Sequence, residues 1–206
     1  MKIAKKFMAL ALVAVLGVGS ATVGVSAAGS RTTAMTVSQE QSAIYKIDQK
    51  IEETDAFKAL TEEFKDVADA FTKVRKGEMD MPEFADILTK LAGETEDEAM
   101  KAAIEELVGK LAGKEFATAF DQFTVVDKDA AEKDKNEDGR YEVEISVPTL
   151  TDAMENVQVI VYSKDEPGKW FLIDPSSIDK ESKTIKVALP DNCFFAVICD
   201  EVKTAE

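Results

Sequence analysis

Histidine is absent from all 206 residues. Imidazole is the commonest general base near neutral pH and the commonest metal ligand. Ser-His-Asp and Cys-His nucleophile pairs and the HExxH zinc site are therefore excluded by count. Cysteine is scarce, with two residues, and positive charge is short, with 25 Lys and Arg against 40 Asp and Glu and a net charge of −15. A nucleic-acid binder gains affinity by neutralising phosphates with Lys and Arg, so nucleic acid and anionic lipid are poor partners for this chain. Long apolar runs are also missing. The run from Phe7 to Val18 is broken at Gly17, Gly19, Ser20 and Thr22, short of the roughly 20 residues that a membrane-spanning helix needs.

What precedes and follows that run reads as an export leader. Lys2, Lys5 and Lys6 form a charged start, and Val25-Ser26-Ala27-Ala28 offers an A-x-A-like cleavage site, the pattern of a secretory signal peptide. Residues 1–27 are thus expected to be a signal peptide. Their removal takes away three lysines and no acid, moving the charge from −15 to −18. High charge with little apolar content would mean disorder, but 45% of the chain is hydrophobic and patterned, so it is expected to fold. Neither a lipobox Cys nor an LPxTG-like signal is found, which points to release into the medium or noncovalent retention at the wall.

Cys193 and Cys199 sit in Cys193-Phe194-Phe195-Ala196-Val197-Ile198-Cys199, which reads as one continuous strand. At about 3.3 Å per residue their Cα atoms stand roughly 20 Å apart, beyond the ~7 Å limit for a bridge. Both then behave as small buried hydrophobes, with an intermolecular bridge or a reactive thiol as the functional alternatives.

Residues 28–36 are small and polar and read as a flexible start. From Val37 to about Ala112 apolar residues recur at helical spacing. Ile44, Ile47 and Ile51 mark one face. Phe57, Leu60, Phe64, Val67, Phe71 and Val74 follow at steps of three and four, lining a second helix, with Gly77 to end it. Asp80 is a cap for a third helix with Pro82 in its first turn, Phe84, Ile87, Leu88 and Leu91 inward, and Gly93 as its stop. Thr95 and Glu98 read as the capping box of a fourth, which carries Met100, Ala103, Ile104, Leu107, Val108 and Leu111 inward and closes at Gly113. Such stripes are expected to pack as a small antiparallel bundle, internal core outweighing a coiled-coil seam.

Near Phe116 the period changes to two. Phe116, Thr118, Phe120, Phe123 and Val125 lead into an acidic loop, Asp127 to Asp138, read as a hairpin connection. In Tyr141–Val147, Tyr141, Val143, Ile145 and Val147 alternate with Glu142, Glu144 and Ser146, the mark of a half-buried strand. Further strands are expected at Asn156–Tyr162, Lys169–Ile173, Lys183–Leu189 and Cys193–Asp200, the last apolar on both faces and therefore central. Short strands with regular turns indicate a sandwich.

The blocks Val143-Glu-Ile-Ser-Val-Pro148, Val157-Gln-Val-Ile-Val-Tyr162, Gly168-Lys-Trp-Phe171 and Phe194-Phe-Ala-Val-Ile198 resemble the C-terminal immunoglobulin-like module of uncharacterised exported proteins of Gram-positive, Clostridia-type bacteria. In these a small helical part likewise precedes the sandwich. The likeness covers about the last 85 residues. It implies a fold and an address, and it carries over no catalytic residue.

Two stretches approach calcium-loop chemistry. Asp134-Lys-Asn136-Glu-Asp138-Gly139 matches the opening of an EF-hand loop, but its twelfth position is Ile145; a reduced loop would use Asp134, Asn136, Asp138 and Asp129. Lys76-Gly77-Glu78-Met79-Asp80-Met81-Pro82-Glu83-Phe84 resembles the back half of such a loop, but its front ligand positions fall on Thr72, Val74 and Lys76, so it reads as a helix-turn-helix. Trp170, Tyr162 and Tyr141 suit either a sugar platform or, in alternating strands, core. The run Glu94-Thr95-Glu96-Asp97-Glu98 reads as solvated helix-start charge.

The chain is therefore expected to be α+β: signal peptide 1–27, flexible start 28–36, helical bundle 37–115 and Ig-like β-sandwich 118–206. Its expected function is a secreted or cell-surface, non-enzymatic binding or structural role with a protein or glycan partner and no integral membrane segment after leader removal. No catalytic, cofactor-binding or metal residues are assigned. A calcium-dependent extracellular module using Asp134–Asp138 is the first alternative. A carboxylate-based glycosidase, needing two carboxyl groups about 5–10 Å apart, is the second.

Overall fold

Side chains on Cys193–Asp200 alternate between two cores. Cys193, Phe195, Val197 and Cys199 enter one, and Phe194, Ala196 and Ile198 enter the other. A strand buried on both faces must lie in a middle layer, and this one does. The computed structural model describes residues 34–166 and 169–200, so the expected signal peptide at 1–27 lies outside the described residues, as do Pro167 and Gly168.

In chain order the elements are β1 (Thr36–Val37), β2 (Tyr45–Asp48), a 3-10 turn at Ile51–Glu53, α1 (Asp55–Glu63), α2 (Lys65–Lys76), α3 (Met81–Glu94), α4 (Glu98–Leu111), β3 (Lys114–Phe116), β4 (Asp121–Val125), α5 (Lys128–Ala131), a 3-10 turn at Glu132–Asp134, β5 (Tyr141–Ser146), β6 (Gln158–Tyr162), β7 (Trp170–Ile173), β8 (Ser177–Asp179), β9 (Thr184–Leu189) and β10 (Cys193–Asp200). The fold is α+β, the four longer helices preceding most of the strands.

Two antiparallel sheets stack face to face. One has the order β1-β5-β9-β8; the other runs β2-β4-β10-β6-β7, with β3 also on β10. The inner faces meet through Val143, Ile145, Ile185 and Val187 on one side and Phe123, Val159, Val161, Phe195 and Val197 on the other. The second core lies between the outer face of the larger sheet and the helices. There Phe71 stacks on Phe120 at 3.9 Å between ring centroids, and Phe84 and Trp170 each stand 6.0 Å from a ring of that cluster. Each such ring, fully buried, contributes about 1.5–3 kcal/mol. The molecule is thus layered helix, sheet, sheet.

Helix starts follow their caps with one change. Asp80 and Glu83 close a reciprocal capping box on α3, and Gly77, at φ 72°, ends α2 in the left-handed conformation that lacks a Cβ penalty. Hence the stretch from Lys76 to Phe84 is a helix-turn-helix. At α4 the cap is Asp97, which accepts from the Ala99 and Met100 amides at 3.0 Å each, not the expected Thr95. Thr95 Oγ1 instead accepts from the Asp97 amide.

Other expectations are corrected. The Ile44, Ile47, Ile51 stripe is not helical: Tyr45–Asp48 pairs with β4, and Ile51 enters the core from a 3-10 turn. Tyr45 and Ile47 also obey a period of two, and three apolar residues are too few to separate the periods. The helical part expected over 37–115 therefore starts at Asp55, and β1, β2 and β3 supply the sheets from before residue 118. The single helix expected through Phe64 is two, α1 and α2, because Phe64 leaves helical geometry at φ −138° and ψ 71°. That ring meets Tyr162 edge-on at 6.5 Å and carries Lys169 Nζ at 4.9 Å. Gly93 lies inside α3 and does not stop it. The acidic loop is no hairpin tip, since β4 and β5 lie in different sheets, and it folds as α5 and a 3-10 turn.

Candidate functional site

Where the chain leaves β7, an edge of the larger sheet, it crosses through Asp174-Pro175-Ser176 to β8, an edge of the smaller one. A cleft of about 710 Å³ opens at this crossing, lined by residues from β3, the loop before β6, the crossing itself and β8. Met154, Val157 and Ile178 give it apolar wall; Glu155, Gln158, Asp174 and two lysines give it polar rim.

Both lysines are occupied in shaping the cleft. Lys180 Nζ donates to the carbonyls of Asp152 at 3.0 Å and Met154 at 2.7 Å, tying the loop before β6 to the end of β8. Lys114 Nζ lies 2.7 Å from Asp200 Oδ1 and donates to the Asn156 carbonyl at 3.1 Å. The Lys114 ammonium on its carboxylate, with a bond donated by Asn156 Nδ2, holds the Asp200 carboxyl below its ordinary range. Gln158 Nε2 donates to Asp174 Oδ1 at 2.8 Å across the rim. On β8 itself Asp179 Oδ1 accepts from the Glu181 and Ser182 amides and forms the turn into β9. The cleft is therefore walled by backbone fixed through side-chain bonds, with Ile178 left 40% exposed.

The acidic loop does different work from that expected. Asp134 Oδ2 accepts from Tyr45 Oη at 2.9 Å, and Asn136 Oδ1 accepts from the amides of Asp138 and Arg140. Burial, helped by Asp134, pushes the Tyr45 phenol far above its ordinary range. Two of the four side chains considered for calcium, Asp134 and Asn136, are thus engaged in local structure, and among the described residues no group of three or more His, Cys, Asp or Glu gathers as a metal site would require. Tyr141, Tyr162 and Trp170 are 6%, 3% and 1% exposed and belong to the cores, not to a surface platform. Burial also pushes the Tyr162 phenol upward.

The two thiols are free and buried in the sandwich. Burial raises both, Cys199 to about 12 with Glu115 adding to the effect, which removes the thiolate that a reactive cysteine needs. Asp121 is the carboxyl whose acidity is most altered: burial pushes it up to about 6 against the pull of Arg75. It is 3% exposed, opens β4 facing Arg75 on α2, and does not line the cleft. Among the described residues no helix is long and apolar enough to cross a membrane.

Sequence reasoning did not find this cleft. Its walls come one or two residues at a time from segments near positions 114, 154–158, 174–175 and 178–180, and none of these forms a motif. No protein-family model, curated protein or solved structure matches the chain.

Proposed function

We propose that this chain is an exported extracellular protein that binds a cell-surface protein or glycan without catalysing a reaction, and that the cleft at the crossing from β7 to β8 is its binding site. The observation that carries the reading is the build of the cleft. A 710 Å³ opening with an apolar wall of Met154, Val157 and Ile178 and a rim held by side-chain bonds supports recognition of a ligand there, and its lysines serve as braces. The address rests on the leader pattern of residues 1–27 and on the resemblance to exported Ig-like modules of Clostridia-type bacteria, which carries over no catalytic residue. A formal charge of −15 supports partners that are neutral or basic.

The test uses the full chain expressed in a Gram-positive host, recovered from medium and wall, and applied to defined glycan and peptide arrays beside an Ile178→Asp variant. Expected are an N-terminus near Ala28 and array ligands that the variant loses at least tenfold. Retention of the intact leader inside cells, or array ligands indifferent to Ile178→Asp, overturns the proposal.

A further inference from the structure

A sheet margin carries unpaired N–H and C=O groups that template another strand unless something closes it. Among the described residues the two sheets have five margins: the four end strands and the three-residue β3, which pairs only with β10, carries the Lys114–Asp200 ion pair and lies against α3. Beside the two-residue β1, the margin continues along β5, where the side-chain amide of Gln41 takes the place of a strand: Nε2 donates to the Glu142 carbonyl at 3.2 Å, and Oε1 accepts from the Glu144 amide at 2.8 Å. β2 bears the Lys46–Asp48 ion pair at 2.6 Å, and β7 has α4 packed along it. Charge and a covering helix are both devices that keep other strands away.

β8 has neither. Ser177, Ile178 and Asp179 are all exposed, and the strand pairs only with β9. Ile178 and Val126 are the large apolar side chains exposed among the described residues, and Ile178 is the one at an open strand edge. The cleft lies against it. Glu155, Asp174 and Asp179 carry no ion pair among the described residues, whereas the donors of Lys114 and Lys180 are taken. Around the open edge the carboxylates of Glu155, Asp174, Asp179 and Asp200 outnumber the ammonium groups of Lys114 and Lys180 by four to two.

Resting on the cleft as the binding site, we propose that its occupant is an extended, lysine- or arginine-bearing segment of another protein, which adds to β8 as a fifth strand of the smaller sheet. Main-chain hydrogen bonds to β8 supply the attachment, as in strand addition to other open sheets. An apolar residue of the segment covers Ile178, and its cations meet Glu155 and Asp174. Charge of that sign also speeds encounter with so acidic a chain.

The experiment measures anisotropy and amide hydrogen exchange on the full chain with three synthetic nonapeptides: alternating Lys and Val, the same peptide N-methylated at every residue, and alternating Glu and Val. N-methylation keeps charge and removes strand donors without touching the protein. Expected is binding of the Lys/Val peptide at least tenfold tighter than of either control, slowed exchange at Ser177–Asp179, weakening with salt, and at least tenfold loss in the Ile178→Ser variant. Equal binding of the N-methylated peptide, or no slowing at Ser177–Asp179, overturns strand addition. Slowing that grows with protein concentration alone assigns the edge to a second copy and likewise overturns it. If the Lys/Val peptide fails while an array ligand still depends on Ile178, this inference falls and the cleft reading stands.

Discussion

Arg75 on α2 and Asp121 on β4 form an ion pair that links the helical layer to the larger sheet, with Nη2 2.8 Å from Oδ1 and side-chain exposures of 13% and 4%. Arg75 also donates to the Phe120 carbonyl, and Glu52 stands 3.8 Å from its Nε. Burial outweighs the arginine, so Asp121 holds its proton up to about pH 6. The folded carboxyl therefore binds a proton more tightly than the unfolded one. Stability from this group is present below the ordinary carboxylate range and is lost as pH rises through about 6. At about 1.4 kcal/mol per pKa unit the effect is on the order of 2–3 kcal/mol. Urea melts of the wild type and Asp121→Asn at pH 4, 5, 6 and 7 are expected to show a difference that shrinks from pH 4 to 6 and is flat above. A constant difference refutes the assignment.

Removing the other partner tests the same pair from the opposite side. Arg75→Met leaves a buried carboxylate unpaired, and breaking a buried pair costs about 3–5 kcal/mol. The loss is expected to be greatest at pH 7 and to ease toward pH 5, where Asp121 takes up a proton. Chemical denaturation at the two pH values measures it.

How much of this was legible in the chain depends on how many residues carried each signal. β5 and β9 were, because six alternating residues fix a period of two, and β10 was, as a continuous apolar run that follows the turn residues Pro190-Asp191-Asn192. So were α3, where Asp80, Pro82 and Glu83 state the start, and the apolar stripes of α1, α2 and α4. β1, β2 and β8 were not: two to four residues cannot establish a period. The two-faced burial of Cys193–Ile198 announced a middle layer, but only tertiary packing shows that Phe71, Phe84 and Leu107 are what cover its outer face. At α4, Asp97 and Thr95 are both capping residue types with extended backbone, and it is the Asp97 carboxylate that reaches the Ala99 and Met100 amides of the first turn.

That choice is measurable. Asp97→Ala is expected to cost about 1 kcal/mol, the usual loss of a helix cap, and Thr95→Val less, since Thr95 Oγ1 bonds only the Asp97 amide and the Met100 sulfur. Equal losses in thermal melts return the cap to Thr95.

Asp134 separates a structural from a metal role. Its carboxylate accepts the Tyr45 hydroxyl, and Tyr45 is 1% exposed with its ring 5.5 Å from Phe123 in the sandwich core. Asp134→Ala removes that acceptor, and a hydrogen bond to a charged group contributes about 1.5–3 kcal/mol. The loss is expected to be the same in millimolar calcium and in EDTA, and Tyr45→Phe is expected to reproduce most of it without a further cost when both changes are combined. A wild-type melting temperature that rises with calcium, and a mutant that does not respond, restores the metal reading of Asp134, Asn136 and Asp138.

Gln41 offers the sharpest contrast between composition and role. Nothing in its sequence surroundings marks a polar residue near an expected helix as a sheet-edge plug, yet its amide answers both a carbonyl and an amide of β5. Gln41→Glu keeps an acceptor for the Glu144 amide and loses the donor to Glu142, while placing a charge beside two glutamates. Gln41→Ala loses both bonds and leaves the β5 edge open. Each unpaired backbone group that stays shielded costs about 1–3 kcal/mol. Both variants are therefore expected to be destabilised, with Gln41→Ala alone gaining fast exchange at the Glu144 amide. The Ala variant is also expected to self-associate more readily, because an opened margin templates pairing. Sedimentation at rising concentration, read beside the exchange rate of that single amide, decides whether one side chain keeps this margin closed.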